Sequence, residues 1–491
     1  MKSIPSILVV AAIPSLASGQ SFQSTPIMGW NSYNQVSCSP TNKTITTAIE
    51  ALSSRGFVNA GYKFFQIDCG WASRDAQRDP TTGALKVDSD AFPDGLKPLS
   101  DLARSKGMKW TMYSDAGVRH DLDDNCYADS ASNNAPKDPR TDFVTRFGTM
   151  WSELQKVGIP GMLICQWGVP YSSSSGLEGP AEWTQNVSTS FRLSDDIAEG
   201  WGNVYRISNQ AIHIAHRGLS GPGHIADADL LEVGNSGMTF DEQATHFALW
   251  AMLKSALMIS TDITALSDQT VAVLQNKDLI SINQDAAVKP SNSARTLSLQ
   301  LSTLGYQSAD IKDLWTGKTT TGASSFSKQV NGHGSVALRL SNIKKLSSSA
   351  NYKYTSVSTG SLSSGAKTAS CSGCTSSTKV GNVGGSTNGQ VVLSNISTSK
   401  ATQNVLFDYI NGDVGFSFTG STNDRLASIK VNGGTAQIVS FPLTGYNWDK
   451  DVYKGYAVEL SGFNTSGPNT ITISGVNGGW APDFDRLAVV A

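Results

Sequence analysis

The 491-residue chain is too long for one ordinary domain, since domains mostly run about 100–200 residues and barrels reach ~250. Its 38 Lys+Arg against 40 Asp+Glu leave a net charge of −2 and no basic stripe for a phosphate backbone, which argues against nucleic-acid binding. With 39% hydrophobic residues and 11 Trp it is not disordered, and a charged fraction of only 16% beside 46 Gly suits an uncharged extracellular surface.

The N-terminus combines Met1-Lys2, the apolar run Ile7–Ile13 and the small residues Ala17-Ser18-Gly19. This predicts a secretory signal over residues 1–19, too short to span a bilayer. No later stretch is apolar enough to cross a membrane. The sequons at Asn42, Asn186, Asn395 and Asn464 agree with secretion. Export makes disulfides available to Cys38, Cys69, Cys126, Cys165, Cys371 and Cys374. No His accompanies a Cys pair at zinc spacing, so no metal site is expected, and Cys371-Ser-Gly-Cys374 reads as a small local disulfide loop.

Between residues 20 and 290, strand candidates alternate with amphipathic helices. The strands are Pro26–Trp30, Tyr62–Asp68, Met108–Ser114, Gly161–Cys165, Thr189–Leu193, His224–Leu230 and Leu257–Thr261. Helical spacing is clearest at Ile45/Ala48/Ile49/Leu52 before Gly56, Leu96/Leu99/Leu102/Ala103 before Gly107, and Phe143/Phe147/Met150/Trp151/Leu154 before Gly158. That order predicts an α/β fold, a (β/α)8 barrel by its length. Seven strands are found, not eight. The polar segment Val118–Arg140 stands where a fourth strand and its preceding helix belong. Residues 291–345 alternate as an antiparallel β-sandwich domain. Residues 346–390, rich in Ser, Thr and Gly, read as a linker with loops. Residues 391–491 read as a second β-sandwich.

In parallel barrels chemistry sits at the carboxyl ends of the strands. Here those ends carry Asp68, Tyr113-Ser114-Asp115, Gln166-Trp167, Arg192 with Asp196, and Asp227-Ala228-Asp229. One such carboxylate is an ordinary helix cap. Five polar or aromatic strand ends together describe an acidic, aromatic-lined pocket, which suits sugars: carboxylates accept from hydroxyls, rings stack on C–H faces, and paired carboxylates cleave glycosidic bonds. There is no Gly-x-Ser-x-Gly elbow and no phosphate-binding glycine loop, and only six His are present.

In these residues the chain resembles a known family. Met28-Gly29-Trp30-Asn31-Ser32-Tyr33, Gln66-Ile67-Asp68-Cys69-Gly70-Trp71, Tyr113-Ser114-Asp115-Ala116-Gly117, Asp124-Asn125-Cys126-Tyr127, Cys165-Gln166-Trp167-Gly168, Phe191-Arg192 with Asp196, and Asp227-Ala228-Asp229-Leu230 follow the order of secreted fungal α-galactosidases (melibiases) of glycoside hydrolase family 27. The likeness runs from residue 25 to about 341. It implies a retaining α-galactosidase acting on terminal α-galactosyl groups of oligosaccharides and galactomannan, with Asp124 as nucleophile and Asp196 as acid/base. It further implies that Asp68 and Asp229 bind galactose hydroxyls, that Tyr33, Tyr113, Gln166, Trp167 and Arg192 line the pocket, that Cys38 and Cys69 pair, and that no cofactor is used. Gln166-Trp167 resembles the galactosidase version rather than that of the α-N-acetylgalactosaminidases or β-L-arabinopyranosidases of the family.

The departure falls where the strand count fails. Ala116–Asp123 runs directly into Asp124-Asn125-Cys126-Tyr127, without the roughly thirty residues that one helix and one strand require. Leu122 stands at the family's Lys, and Cys126 has no matching partner. Two origins fit: an exon-like segment skipped by mis-splicing, or a chain that exists as written. Losing a buried strand strips pairing from both neighbours, so this chain is expected to be weakly active or inactive, or to serve as a sugar-binding protein. The C-terminal unit resembles a family 35 carbohydrate-binding module, with Tyr446, Trp448, Tyr453 and Trp480 as candidates for stacking or for core packing.

Overall fold

The computed structural model describes residues 24–73, 79–113, 139–159, 161–165, 180–285, 298–301, 306–328, 336–345, 352–415 and 421–491. The signal segment 1–19 and the site residues Asp124, Gln166 and Trp167 lie outside these. The chain divides into two compact units. No helix among the described residues is long and apolar enough to cross a membrane.

Among the described residues the first unit holds seven parallel strands: β1 (Met28–Asn31), β2 (Phe64–Ile67), β3 (Lys109–Met112), β4 (Leu163–Ile164), β5 (Ser190–Arg192), β6 (Ile225–Asp227) and β7 (Leu257–Ile259). They pair in the order β3-β2-β1-β7 and β4-β5-β6, and a parallel bridge from Leu231 to Ile259 joins the β6 side to β7. The ladder therefore runs around a barrel. Among the described residues no strand lies between β3 and β4. Burial follows the pairing: β1, β5, β6 and β7 are wholly buried, whereas β3 has no buried position and leaves Met112 39% exposed. Gly29 is required in β1, because a Cβ there would stand 2.0 Å from the Phe64 carbonyl oxygen of β2.

The helices form where the sequence places both the apolar face and the caps. In Asn42–Ser54 the face Ile45, Ala48, Ile49 and Leu52 is buried, and Thr41 and Thr44 bond reciprocally as a capping box. Gly56, at φ +82°, follows its end. Phe240–Leu253 has the same device in Thr239 and Glu242, and is buried from Thr245 to Leu253, as a helix between sheet and neighbouring helices must be.

Among the described residues the antiparallel strands all lie in the second unit. Thr319–Ala323, Tyr306–Asp313 and Leu338–Lys345 form one small sheet, and Ser298–Gln300 pairs with Ser325–Ser327. Further on, a six-stranded sheet centred on Asp483–Val490 and a five-stranded sheet centred on Asn469–Gly475 bury a common core. Phe441 is its hub, with ring centroids 5.6 Å from Phe407, 4.9 Å from Tyr409 and 5.3 Å from Phe484.

Residues 346–390 are not the expected linker. They contain strands Tyr352–Ser356, Ser361–Ser363, Lys367–Ser370 and Thr378–Gly381, paired into those two sheets. Lys367–Ser370 and Ser361–Ser363 are short and mostly exposed, so little apolar pattern was needed to hold them.

Candidate active site

On one side of the barrel, Asp68 follows β2 and is fixed from β1. Its Oδ2 accepts from Asn31 Nδ2 at 2.6 Å, its amide donates to Ser32 Oγ at 2.9 Å, and its Oδ1 accepts from the Cys69 amide at 2.8 Å. Asn31 also accepts from the Tyr33 amide at 2.7 Å, so one buried amide side chain orients both pocket candidates of this turn. The Cys38–Cys69 disulfide, with Cα atoms 4.7 Å apart, closes the turn. Gly70 (φ +81°) is needed beside it, since a Cβ would lie 2.2 Å from the Cys38 carbonyl oxygen. The Tyr113 carbonyl after β3 accepts from Trp71 Nε1 at 2.9 Å. Cys371–Cys374 also forms, in the second unit.

On the other side, Arg192 ends β5 and is 6% exposed. Its Nη2 reaches Asp196 Oδ1 at 2.9 Å and Asp229 Oδ2 at 2.5 Å. Asp229 also accepts from the amides of Ile197 (2.8 Å) and Leu230 (2.7 Å). Its backbone is left-handed, φ +81°, a strained state for a residue with a Cβ. The strain is held by Trp250 Nε1 on its carbonyl (2.7 Å) and by Asp227 Oδ1 on its amide (2.9 Å). Burial pushes the Asp229 carboxyl up, against the pull of Arg192 and the two amides. Burial likewise raises Asp227 to about 6. The Asp196 carboxyl, by contrast, is 61% exposed.

Sequence reasoning missed the layer beneath. Arg206, 1% exposed, donates to Ser194 Oγ at 2.9 Å, to the Asp195 carboxylate, and to the Asp196 carbonyl at 3.3 Å. It thereby fixes the turn that presents Asp196. The only available signal was Asp195-Asp196 followed by a charged residue inside a helix, which ordinarily marks a solvated face. Among the described residues no group of three or more His, Cys, Asp or Glu is placed to hold a metal ion. Asp68, Tyr33 and Tyr113 thus follow β1 to β3, Arg192 ends β5, and Asp196 and Asp229 follow β5 and β6.

Carboxylates at the carboxyl ends of parallel strands, tied by one buried guanidinium, stand in a domain whose whole span, residues 25–285, matches the family described as alpha galactosidase A. The match takes in more than half of the 491 residues. The chain belongs to the alpha galactosidase A family. Residues 264–340 match the alpha galactosidase C-terminal beta sandwich domain. Probable alpha-galactosidase D of Aspergillus niger is 31% identical over 386 residues, 65% of this chain and 56% of that protein. Its counterpart in Aspergillus fumigatus is 32% identical over 385 residues, covering 64% and 57%. The chain thus spans little more than half the length of these curated relatives. Among solved structures, alpha-galactosidase I from Mortierella vinacea aligns with a TM-score of 0.57 at 24% identity, over 67% of this chain and 100% of that one. A β-L-arabinopyranosidase of glycoside hydrolase family 27 from Geobacillus stearothermophilus aligns with a TM-score of 0.51 at 18% identity, over 65% and 96%. At these identities the two likenesses speak for the fold of this alpha galactosidase A family member.

Proposed function

We propose that the protein is a secreted, glycosylated retaining α-galactosidase that removes terminal α-D-galactosyl groups from oligosaccharides and galactomannan. The observation that carries this reading is the Arg192 bridge between Asp196 and Asp229 at adjacent strand ends, inside an alpha galactosidase A family domain. In this reading Asp124 attacks the anomeric carbon and Asp196, accessible to substrate and solvent, protonates the leaving oxygen. Asp196 then deprotonates the water that releases galactose. Asp68 and Asp229 accept from galactose hydroxyls, and Tyr33, Tyr113, Gln166, Trp167 and Arg192 line the pocket. The sequon residues Asn186, Asn395 and Asn464 are exposed, which suits glycosylation, and Asn42 is half-buried.

In the C-terminal unit we assign carbohydrate binding of the family 35 type to the face carrying Trp480, 41% exposed. Tyr453 belongs instead to the core, and Trp448 lies between Arg425 (4.6 Å from the ring centroid) and Lys379 (5.7 Å). A second reading, a catalytically impaired sugar-binding protein, is favoured by one feature of the sequence: Ala116–Asp123 runs directly into Asp124-Asn125-Cys126-Tyr127, without the roughly thirty residues that one helix and one strand require. Hydrolysis of an aryl α-galactoside by the purified chain, with Asp124→Asn and Asp196→Asn beside it, separates the two. Turnover lost in both variants supports the enzyme. Galactan binding without turnover supports the alternative.

A further inference from the structure

Glu232 is a buried carboxylate, 1% exposed, three residues beyond Asp229, and the reaction just described gives it no role. Its Oε1 accepts from Asn34 Nδ2, next to Tyr33 in the turn after β1. Its Oε2 accepts from Asn235 Nδ2 at 2.7 Å, in the turn after β6. Asn235 Nδ2 reaches the Ser260 carbonyl after β7 at 2.9 Å, and Ser260 Oγ accepts from the Asn34 amide at 2.9 Å. The network links the ends of three strands that are neighbours around the barrel. From below, the Glu232 amide donates to His246 Nε2 at 3.0 Å.

We propose that Glu232 is a positioning residue of the sugar site, tying the turn after β1 to the turn after β6 and so holding Tyr33 and Asp229 in register. The proposal rests on the α-galactoside reading of that site. An ionised carboxylate is the one side chain of this size that accepts at both ends; a glutamine would point an N–H at one of the two asparagine amides. A buried carboxylate that satisfies two donors from separate turns fixes their spacing, and removing it leaves those donors unpaired. Asp229 and Glu199 are the charged groups acting on it, beside the neutral ring of His246, Asn34, Asn235 and Ser260. Burial first, with those two carboxylates, lifts Glu232 to about 7 against the pull of the two amides. The tie is therefore strongest above neutrality and loosens as Glu232 takes up a proton.

The test compares wild type with Glu232→Gln across about pH 5 to 8. It reads galactose affinity by calorimetry, KM and kcat on an aryl α-galactoside, and amide exchange of residues 32–36. At pH 8 the variant is expected to bind galactose roughly tenfold more weakly and to raise KM to match, with kcat within about threefold. The gap closes near pH 5, where wild type itself is protonated, and exchange at 32–36 rises in the variant only at the higher pH. An unchanged KM and unchanged exchange at pH 8 overturn the proposal, as does a loss that is equal at every pH. If Glu232→Gln does not fold, Asn34→Ala removes the Oε1 donor and is expected to give the same KM rise and exchange; no change there overturns it. If wild type neither binds galactose nor turns over, the α-galactoside reading fails, while exchange still decides whether Glu232 holds the two turns.

Discussion

The Arg192 guanidinium and the Asp229 carboxylate meet at 2.5 Å with both side chains buried, although 37 residues separate them in sequence (229 − 192). One nitrogen also holds the exposed Asp196, so a single buried cation sets the spacing between an anchored carboxylate and a reactive one. The anchored member is built for it. Its left-handed backbone is kept by Trp250 and Asp227, and its charge is met by Arg192 and two amides.

Removing either half of this pair should therefore differ in kind. Arg192→Met leaves Asp229 buried without its counter-charge, and is expected to cost about 3–5 kcal/mol in urea unfolding. Asp229→Asn keeps a residue that tolerates the left-handed region, so the fold should persist while galactose affinity falls at least ~10-fold. Calorimetry with galactose and a denaturant titration on each variant check both statements.

The Arg206–Asp195 pair beneath the same turn is wholly buried. Arg206→Met alone strands a carboxylate and should destabilise by roughly 3–5 kcal/mol, whereas Arg206→Met with Asp195→Leu should recover most of that loss. The double variant should nonetheless keep a lowered kcat, because the Asp196 carbonyl has lost its donor. Stability of the double variant equal to that of the single one would show that the pair is not acting as a charge pair.

Three buried groups of the first unit give its stability a pH dependence. Glu232 is raised from 4.5 to about 7 and Asp227 from 3.8 to about 6, so the folded state holds these protons more tightly than the unfolded chain. Their contribution is full below the unfolded values and is lost as pH rises through the folded ones. His246 is lowered from 6.5 to about 3, so its neutral burial costs stability as pH falls below the unfolded value. Melting curves should show that Glu232→Gln removes up to about 3 kcal/mol of the change between roughly pH 4.5 and 7. His246→Gln should flatten the opposite slope between about pH 6.5 and 3.

Much of this architecture was legible in the residues. The runs ending in polar groups located the seven parallel strands among the described residues; β1, β5, β6 and β7 are wholly buried, and a buried parallel strand must be largely apolar while its carboxyl end need not be, whereas β3 has no buried position. Three helices, Asn42–Ser54, Lys97–Ser105 and Pro139–Lys156, were legible from spacing, with Gly56, Gly107 and Gly158 marking where they stop. Lys367–Ser370 and its neighbours were not, since a strand with little buried area carries little pattern. Arg206 and Glu232 were also illegible: each is a charged residue whose partners come from other strands and turns, and only the fold shows that water is excluded.

In the second unit, exposure separates two aromatic residues of similar promise. Tyr453→Ala opens the core and should cost ~3–5 kcal/mol, by analogy with other aromatic truncations. Trp480→Ala should leave stability within about 1 kcal/mol and reduce retention on galactomannan in affinity electrophoresis. Unchanged retention would remove Trp480 from the proposed sugar face.

Proton NMR of the galactose first released from an aryl α-galactoside by the purified chain, with Asp196→Asn beside it, decides whether Asp196 serves a retaining α-galactosidase. A retaining enzyme that uses Asp196 releases galactose slowly, with α-galactose appearing before its β anomer, and the variant releases none above background. Release of β-galactose first, or equal release from Asp196→Asn, or none from the wild-type chain, would contradict that assignment.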